Sequence, residues 1–236
     1  MTDYKTFENK FLYWFNKNNI KHTDKNIKEF YDLTNYLLIE NEKYNLTAIK
    51  NIDEIIIKHY IDSIIIFKYF DIPEKSKIID IGTGAGFPAL PLSIIREDLN
   101  ITLLDSSEKK INFIKKAFHD KYIYYCGRAE EFGKDKKIRE TYDFAVSRAV
   151  AKLNILCEIS SPFIKPGGFF ISYKSKNANE EISKAENILK ILNLQIDKIS
   201  EFEIENNKRY LIYIKKLKNT PEKYPRNYSD IIKNPI

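Results

Sequence analysis

The sequence predicts an α/β fold: a mostly parallel seven-stranded sheet flanked by helices, closed by an antiparallel C-terminal hairpin and preceded by a helical extension. Three observations predict it. From Lys77 onward, short apolar runs alternate with helix-period segments, the texture of a parallel sheet covered on both faces. Before Gly82 there is no glycine at all, and the apolar residues there recur at helical spacing. Near the end, two strand-like runs flank Asn206-Asn207, a hairpin signal.

The elements follow in order. Phe7, Phe11, Trp14 and Phe15 stand at i, i+4, i+7 and i+8, one face of a helix that Asn18-Asn19 ends. Thr23 is placed to N-cap a second helix carrying Ile27, Phe30, Tyr31, Tyr36 and Leu38. The polar stretch from Asn41 to Thr47 reads as a connection. A third apolar-periodic stretch runs from Asp53 to about Phe70 and stops at Asp71-Ile72-Pro73. Strand 78–81 then enters the turn Gly82 to Gly86, followed by a helix through Leu90, Leu92, Ile94 and Ile95. Strand 101–104 ends at Asp105, a helix covers 108–118, and strand 122–126 ends at Gly127. Strand 144–146, a helix from about Leu153, strand 169–173 after Pro166-Gly167-Gly168, and a helix over 179–192 come next. Runs 195–204 and 210–215 form the hairpin. The expected division is a helical extension (1–76) packed on the core, the core itself (77–218), and a tail (219–236).

Composition narrows the function. With 43% hydrophobic and 31% charged residues the chain is globular, and no apolar run approaches the roughly 18 residues of a membrane span. The opening Met1-Thr2-Asp3-Tyr4-Lys5 shows no basic-then-apolar leader, so the expected compartment is the cytoplasm. Cys126 and Cys157 make no CxxC pair and are expected to be reduced, buried thiols. Three histidines, never at HxxxH spacing, point to no metal centre and to organic chemistry. Net charge is +6, and most of the surplus lies within 78–219, which suits a polyanionic partner.

The strongest motif is Ile78-Ile79-Asp80-Ile81-Gly82-Thr83-Gly84-Ala85-Gly86-Phe87. Glycines at alternate positions after a buried strand let a ligand approach the backbone. Dinucleotide binding wants GxGxxG, and position 87 is Phe; no GK[ST] follows for a phosphate loop. Asp105 ends the next strand, where a carboxylate accepts hydrogen bonds from a ribose diol. The order of Asp80-x-Gly82-x-Gly84-x-Gly86, Asp105, Ile164-Lys165-Pro166-Gly167-Gly168 and a closing hairpin resembles class I S-adenosylmethionine-dependent methyltransferases. After the fourth strand stands Ser147-Arg148-Ala149-Val150, neither an Asn/Asp-Pro-Pro-aromatic loop nor a cysteine nucleophile. The acceptor is therefore one that is already nucleophilic.

Further residues sharpen the resemblance: Asn45-Leu46-Thr47, His59-Tyr60-Ile61-Asp62-Ser63, Gly86-Phe87-Pro88, Leu104-Asp105-Ser106, Gly127-Arg128-Ala129-Glu130, Ser147-Arg148-Ala149, Lys174 and Tyr224-Pro225-Arg226. From about Asn41 to the C-terminus the chain is similar to the RsmG (GidB) family, bacterial methyltransferases of guanine N7 in small-subunit ribosomal RNA. Ala89 and Ser175 stand where glycine is usual. No segment reads as a dedicated dimer helix, so a monomer is expected. The resemblance implies S-adenosylmethionine as cofactor and small-subunit ribosomal RNA, free or in the assembled subunit, as partner. It implies that Gly82, Gly84, Gly86 and Phe87 line the methionine and ribose side, that Asp105, Ser106 and Ser107 take the ribose, and that Ala129 and Glu130 meet the adenine edge. Arg148 would face both cofactor and guanine as the catalytic residue, donating to O6, since bidentate O6/N7 contact would block the nucleophile.

Bland readings stand beside these. Arg148 also fits a structural ion pair, His59 a hydrogen-bonded structural residue, and the aromatic stripe from Phe7 to Phe15 a core face. The pairs Lys109-Lys110, Lys115-Lys116 and Lys136-Lys137 suit phosphate contacts and solvated surface equally. A class I methyltransferase of a small molecule or another RNA is the alternative within enzymes. An RNA-binding module with a vestigial pocket is the alternative outside them.

Overall fold

The computed structural model describes residues 3–236; Met1 and Thr2, which open the expected helical extension, lie outside the described residues. Helix α1 (Tyr4–Lys17) is N-capped by Asp3 and buries Phe7, Phe11 and Phe15 completely, so the aromatic stripe is core. Trp14 donates its ring N–H to Asp53 at 2.9 Å, and the same carboxylate takes Lys10. Helix α2 (Asp24–Tyr44) begins at Thr23, whose hydroxyl and the side chain of Asn26 form a reciprocal capping box.

Of the polar stretch expected as a connection, Asn41 to Tyr44 form the end of α2, and Asn45 to Thr47 lie beyond it in the connection to the next helix. Asn41 is buried, its side chain holding Thr47 through both backbone groups (2.8 and 2.9 Å), and Asn45 closes the helix in the left-handed region. The polarity of Asn41 marks side-chain-to-backbone bonding within the helix end. The third helical stretch is broken into α3 (Ile52–Ile55), a π-helical segment (Ile56–Ile61), α4 (Asp62–Ile64) and α5 (Ile66–Tyr69).

Then come β1 (Lys77–Ile81), α6 (Ala89–Ile95), β2 (Asn100–Asp105), α7 (Glu108–Phe118), β3 (Ile123–Cys126), α8 (Ala129–Phe132), β4 (Tyr142–Arg148), α9 (Leu153–Ser160), β5 (Ile164–Lys174), α10 (Ala178–Ile191), β6 (Leu194–Ile204), β7 (Asn207–Lys216) and α11 (Tyr228–Lys233). The seven strands lie in the order β3-β2-β1-β4-β5-β7-β6, parallel except for β7, which runs antiparallel to both neighbours.

Alternation along the strands splits the core. Ile78, Phe144, Val146 and Tyr213 pack under α1, α2 and the helices up to Tyr69, in one continuous cluster; Ile79, Ala145, Phe170 and Ile212 pack under α9 and α10. The hairpin turn sits one residue earlier than Asn206-Asn207: Glu205 and Asn206 both have positive φ, as a two-residue hairpin of this hand requires. Strand β5 starts at Ile164, earlier than Phe169, because Pro166-Gly167-Gly168 is absorbed where pairing with β4 shifts register. Cys126 is exposed at a strand end, contrary to expectation, while Cys157 is buried and its thiol is pushed up to about 12 by burial. Beyond β7 the chain is held to the core. Arg139 donates to the carbonyls of Thr220 and Tyr224 (both 2.9 Å), and Arg226 pairs with buried Glu158 at 2.6 Å.

Candidate active site

Strand order reverses between β1 and β4, and a crevice opens at the carboxyl ends of strands where that happens. Two adjoining hollows occupy it here, a cleft of about 310 Å³ and a larger cavity of about 490 Å³, with Ala149 on the wall of both.

The cleft is built on backbone. Its floor is the turn after β1, where Gly82 has φ +71° and where a Cβ would drive into Val150. Asp105, at the end of β2, accepts from the N–H of Gly84 (2.9 Å) and of Ser107 (2.8 Å), which fixes both the carboxylate and the start of α7. Lys110 stands 3.8 Å from the same carboxylate. Ser106, Gly127, Ala129 and Glu130 complete the wall, Glu130 buried and taking Arg128 Nε at 3.0 Å. Tyr228 of α11 closes the outer side, its ring stacked on the Arg128 guanidinium at 3.5 Å. Nothing in the sequence flagged Tyr228 except its position just past Tyr224-Pro225-Arg226.

Five of the expected cofactor residues thus line the cleft: Gly82, Asp105, Ser106, Ala129 and Glu130. Gly84 and Ser107 support it through Asp105. Gly86 is turned onto Leu90. Phe87 is in the core, 7% exposed, stacked flat on His59 at 4.4 Å. Asp80 is wholly buried beneath the turn, accepting from Thr83 Oγ1 (2.7 Å) and Ala89 N (3.2 Å). Burial raises its carboxyl to about 7.

The larger cavity is built on side chains from four places in the chain. Arg148, at the end of β4, points away from the Asp105 cleft and into this cavity. It donates from Nη1 to Asp62 Oδ2 (2.9 Å) and to the Lys58 carbonyl (3.0 Å), while Nη2 lies 3.5 Å from His59 Nδ1. Lys58 and His59 belong to the π-helical segment and Asp62 follows it; such widened turns recur at functional sites. Arg209, from the start of β7, stands 3.4 Å from Asp62 Oδ1. Antiparallel pairing brings it there, since Tyr210 sits opposite Lys174 and Arg209 opposite Phe202. Lys174 pairs with Glu181 (2.6 Å) and donates to the Ala151 carbonyl (2.7 Å).

Proton acceptors in this cavity are weak or occupied. His59 Nε2 meets Thr47 Oγ1 at 3.0 Å, and burial, helped by the Arg148 charge, lowers the ring to about 3. Tyr173, buried and donating to the Ser63 carbonyl at 2.8 Å, is held well above its usual range. Glu181 and Asp62 are ion-paired. The arrangement suits a substrate that brings its own lone pair and keeps its protons.

Residues 26–212 match the model of a family described as rRNA small subunit methyltransferase G. The chain is 45% identical to ribosomal RNA small subunit methyltransferase G of Clostridium botulinum (strain Loch Maree / Type A3), over 92% of this chain and 94% of that one. It is 44% identical to the protein of the same name from Thermoanaerobacter sp. (strain X514), over 85% and 86%. Among solved structures, TrmN from Thermus thermophilus is 12% identical with a TM-score of 0.51, over 69% of this chain and 53% of that one. The [4+2]-cyclase SpnF is 9% identical with a TM-score of 0.52, over 66% and 81%. A methyl-transfer fold shared with a cyclase shows architecture alone, so chemistry has to be argued from the site.

Proposed function

The chain belongs to the rRNA small subunit methyltransferase G family, and on that premise we propose that it transfers a methyl group from S-adenosylmethionine to N7 of one guanine in 16S ribosomal RNA. The observation that carries this reading is the chemistry of the larger cavity, cationic and without an available general base. Guanine N7 has a free lone pair at neutral pH and needs none.

The cleft fits S-adenosylmethionine on its own geometry. Asp105, anchored by two backbone donors and still holding free lone pairs, suits a ribose diol. Gly82 leaves the room that a Cβ would fill, and Gly84 and Gly86 shape the same turn. Ser106 and Ser107 follow Asp105 directly, and Ala129 and Glu130, which line the same cleft as Tyr228, suit the adenine edge. The cofactor supplies a methyl group on positively charged sulfur. Phe87 acts indirectly, backing His59.

Arg148 serves the acceptor side: it donates to O6, leaves N7 uncovered and orients it toward the neighbouring cleft. Because positive charge passes to the purine, the acidic partner Asp62 beside Arg148 keeps the cavity from becoming more cationic than the product tolerates. Lys110, Arg128 and Lys58 rim the two hollows and suit the phosphates of an RNA strand. Among the described residues no helix is long and apolar enough to cross a membrane. The proposed setting is the cytoplasm, with the enzyme monomeric and its substrate either free small-subunit rRNA or the assembled subunit.

The test is methyl transfer from labelled S-adenosylmethionine to unmethylated small subunits and to naked 16S rRNA, with the base mapped by cleavage specific for N7-methylguanosine. One labelled guanine is expected in one or both substrates. Labelling of a small molecule alone, or of another base atom, overturns the acceptor assignment.

A further inference from the structure

We propose that Asp62 reads the Watson–Crick edge of the acceptor guanine, accepting hydrogen bonds from N1–H and the 2-amino group, and so selects guanine over adenine. This rests on the guanine-N7 reading above and adds to it the residue that sets base identity.

The requirement comes from the chemistry. A guanine that offers N7 to the cleft must be held by what remains: O6, an acceptor, and N1–H with the 2-amino group, both donors. These lie in sequence along one edge. A protein surface complementary to that edge presents a donor and an acceptor side by side.

The larger cavity holds such a pair. Arg148 Nη1 spends its two hydrogens on Asp62 Oδ2 (2.9 Å) and the Lys58 carbonyl (3.0 Å), which leaves Nη2, only 3.5 Å from His59 Nδ1, as the donor for O6 beside the Asp62 acceptor. Each of the two side chains is about one-eighth exposed and lines the cavity. Asp62 keeps capacity for more. An ionised carboxylate has about four acceptor positions, of which Arg148 uses one at Oδ2 and Arg209 Nε approaches Oδ1 only at 3.4 Å. The other carboxylate there, Glu181, is committed to Lys174 and to the N–H of Leu153 (2.7 Å). Two guanidinium groups flank Asp62, which offsets the unfavourable placement of a carboxylate in a half-closed site.

Adenine reverses this pattern. It sets an amino donor where O6 would meet Arg148 and a bare N1 lone pair against Asp62. A site built to bond N–H groups rejects the analogue that lacks them far more strongly than an apolar pocket does. A purely structural Asp62 would support Arg148 and be indifferent to the 2-amino group.

The experiment uses that difference. The mapped guanosine in 16S rRNA is replaced by inosine, which lacks only the 2-amino group, and N7 transfer is compared for the wild-type enzyme and Asp62→Asn. Any change in N7 basicity enters both enzymes equally, so the ratio of the two guanosine-to-inosine preferences isolates the contact. The wild type is expected to prefer guanosine by about tenfold or more and Asp62→Asn by less than about threefold, the size expected for one hydrogen bond to a charged group. Equal preferences in the two enzymes overturn the proposal. So does wild-type turnover unchanged by inosine, an outcome that stands even if Asp62→Asn fails to fold. Absence of N7-methylguanosine with the natural RNA and wild-type enzyme would instead defeat the underlying reading.

Discussion

The cleft and the cavity share a wall at Ala149 but are made differently. The cleft is assembled mainly from consecutive strand ends between Gly82 and Glu130, with Ala149 and Tyr228 added to its walls, and its shape is set by backbone: a glycine turn and two N–H groups on Asp105. The cavity draws on Lys58, Asp62, Arg148, Lys174 and Arg209, and its shape is set by ion pairs between side chains. The lesson is one of tolerance. Backbone-built sites change little when a wall residue is trimmed. Side-chain-built sites lose geometry and charge balance together.

The largest effect is expected in the cavity. Arg148→Ala removes the O6 donor and leaves Asp62 with a single distant cation; methyl transfer to rRNA, measured as kcat/KM, is expected to fall about 100-fold. Retention of wild-type turnover would remove Arg148 from the site. Next is Asp105→Ala, which strips both the ribose acceptor and the anchor of Gly84 and Ser107. The dissociation constant for S-adenosylmethionine in calorimetry is expected to rise about 30-fold, roughly 2 kcal/mol.

A third expectation separates the two regions by pH. His59 titrates near 3 in the fold and near 6.5 when unfolded, so between those values the unfolded chain binds more protons. Its contribution is present above about 6.5 and is lost as pH falls toward 3. Asp80 runs the other way: with a carboxyl near 7 in the fold and 3.8 outside it, the folded chain binds more protons, and stability falls as pH rises through that window. The two oppose one another between about pH 4 and 6.5. Asp80→Asn leaves the His59 slope unopposed, so urea-unfolding stability is expected to rise more steeply with pH there than in the wild type, by at most about 1.4 kcal/mol per pH unit. An unchanged slope would remove Asp80 from this account.

The smallest effect belongs to Tyr228→Ala. It opens the outer side of the cleft and loses the stack on Arg128, for about a threefold weaker cofactor affinity with turnover at saturating cofactor unchanged. A larger loss would mean that α11 shapes the cleft rather than covering it.

The same contrast explains what the sequence made legible. Asp80, the alternate glycines and Asp105 lie within one β-α-β unit, where spacing translates directly into position, and the strand-helix alternation carries the sheet. Arg209 is invisible by such means: only the antiparallel return of β7 brings it beside Asp62. The break between α3 and α4 left no mark, because its isoleucines satisfy helical periodicity whether or not a turn is widened. Phe87 is a related case. It follows the glycine turn directly in sequence, while its ring turns back to stack on His59 from another element. Asn41 misled in the opposite direction, a polar residue buried to hold a backbone turn.

The division of labour between the two hollows is tested most directly by S-adenosylmethionine binding to Arg148→Ala beside Asp105→Ala, in the same calorimetric titration. The prediction is that Arg148→Ala binds the cofactor within about threefold of the wild type while Asp105→Ala weakens it about 30-fold. Loss of cofactor affinity in Arg148→Ala equal to that in Asp105→Ala would contradict it, and would make the two hollows one site.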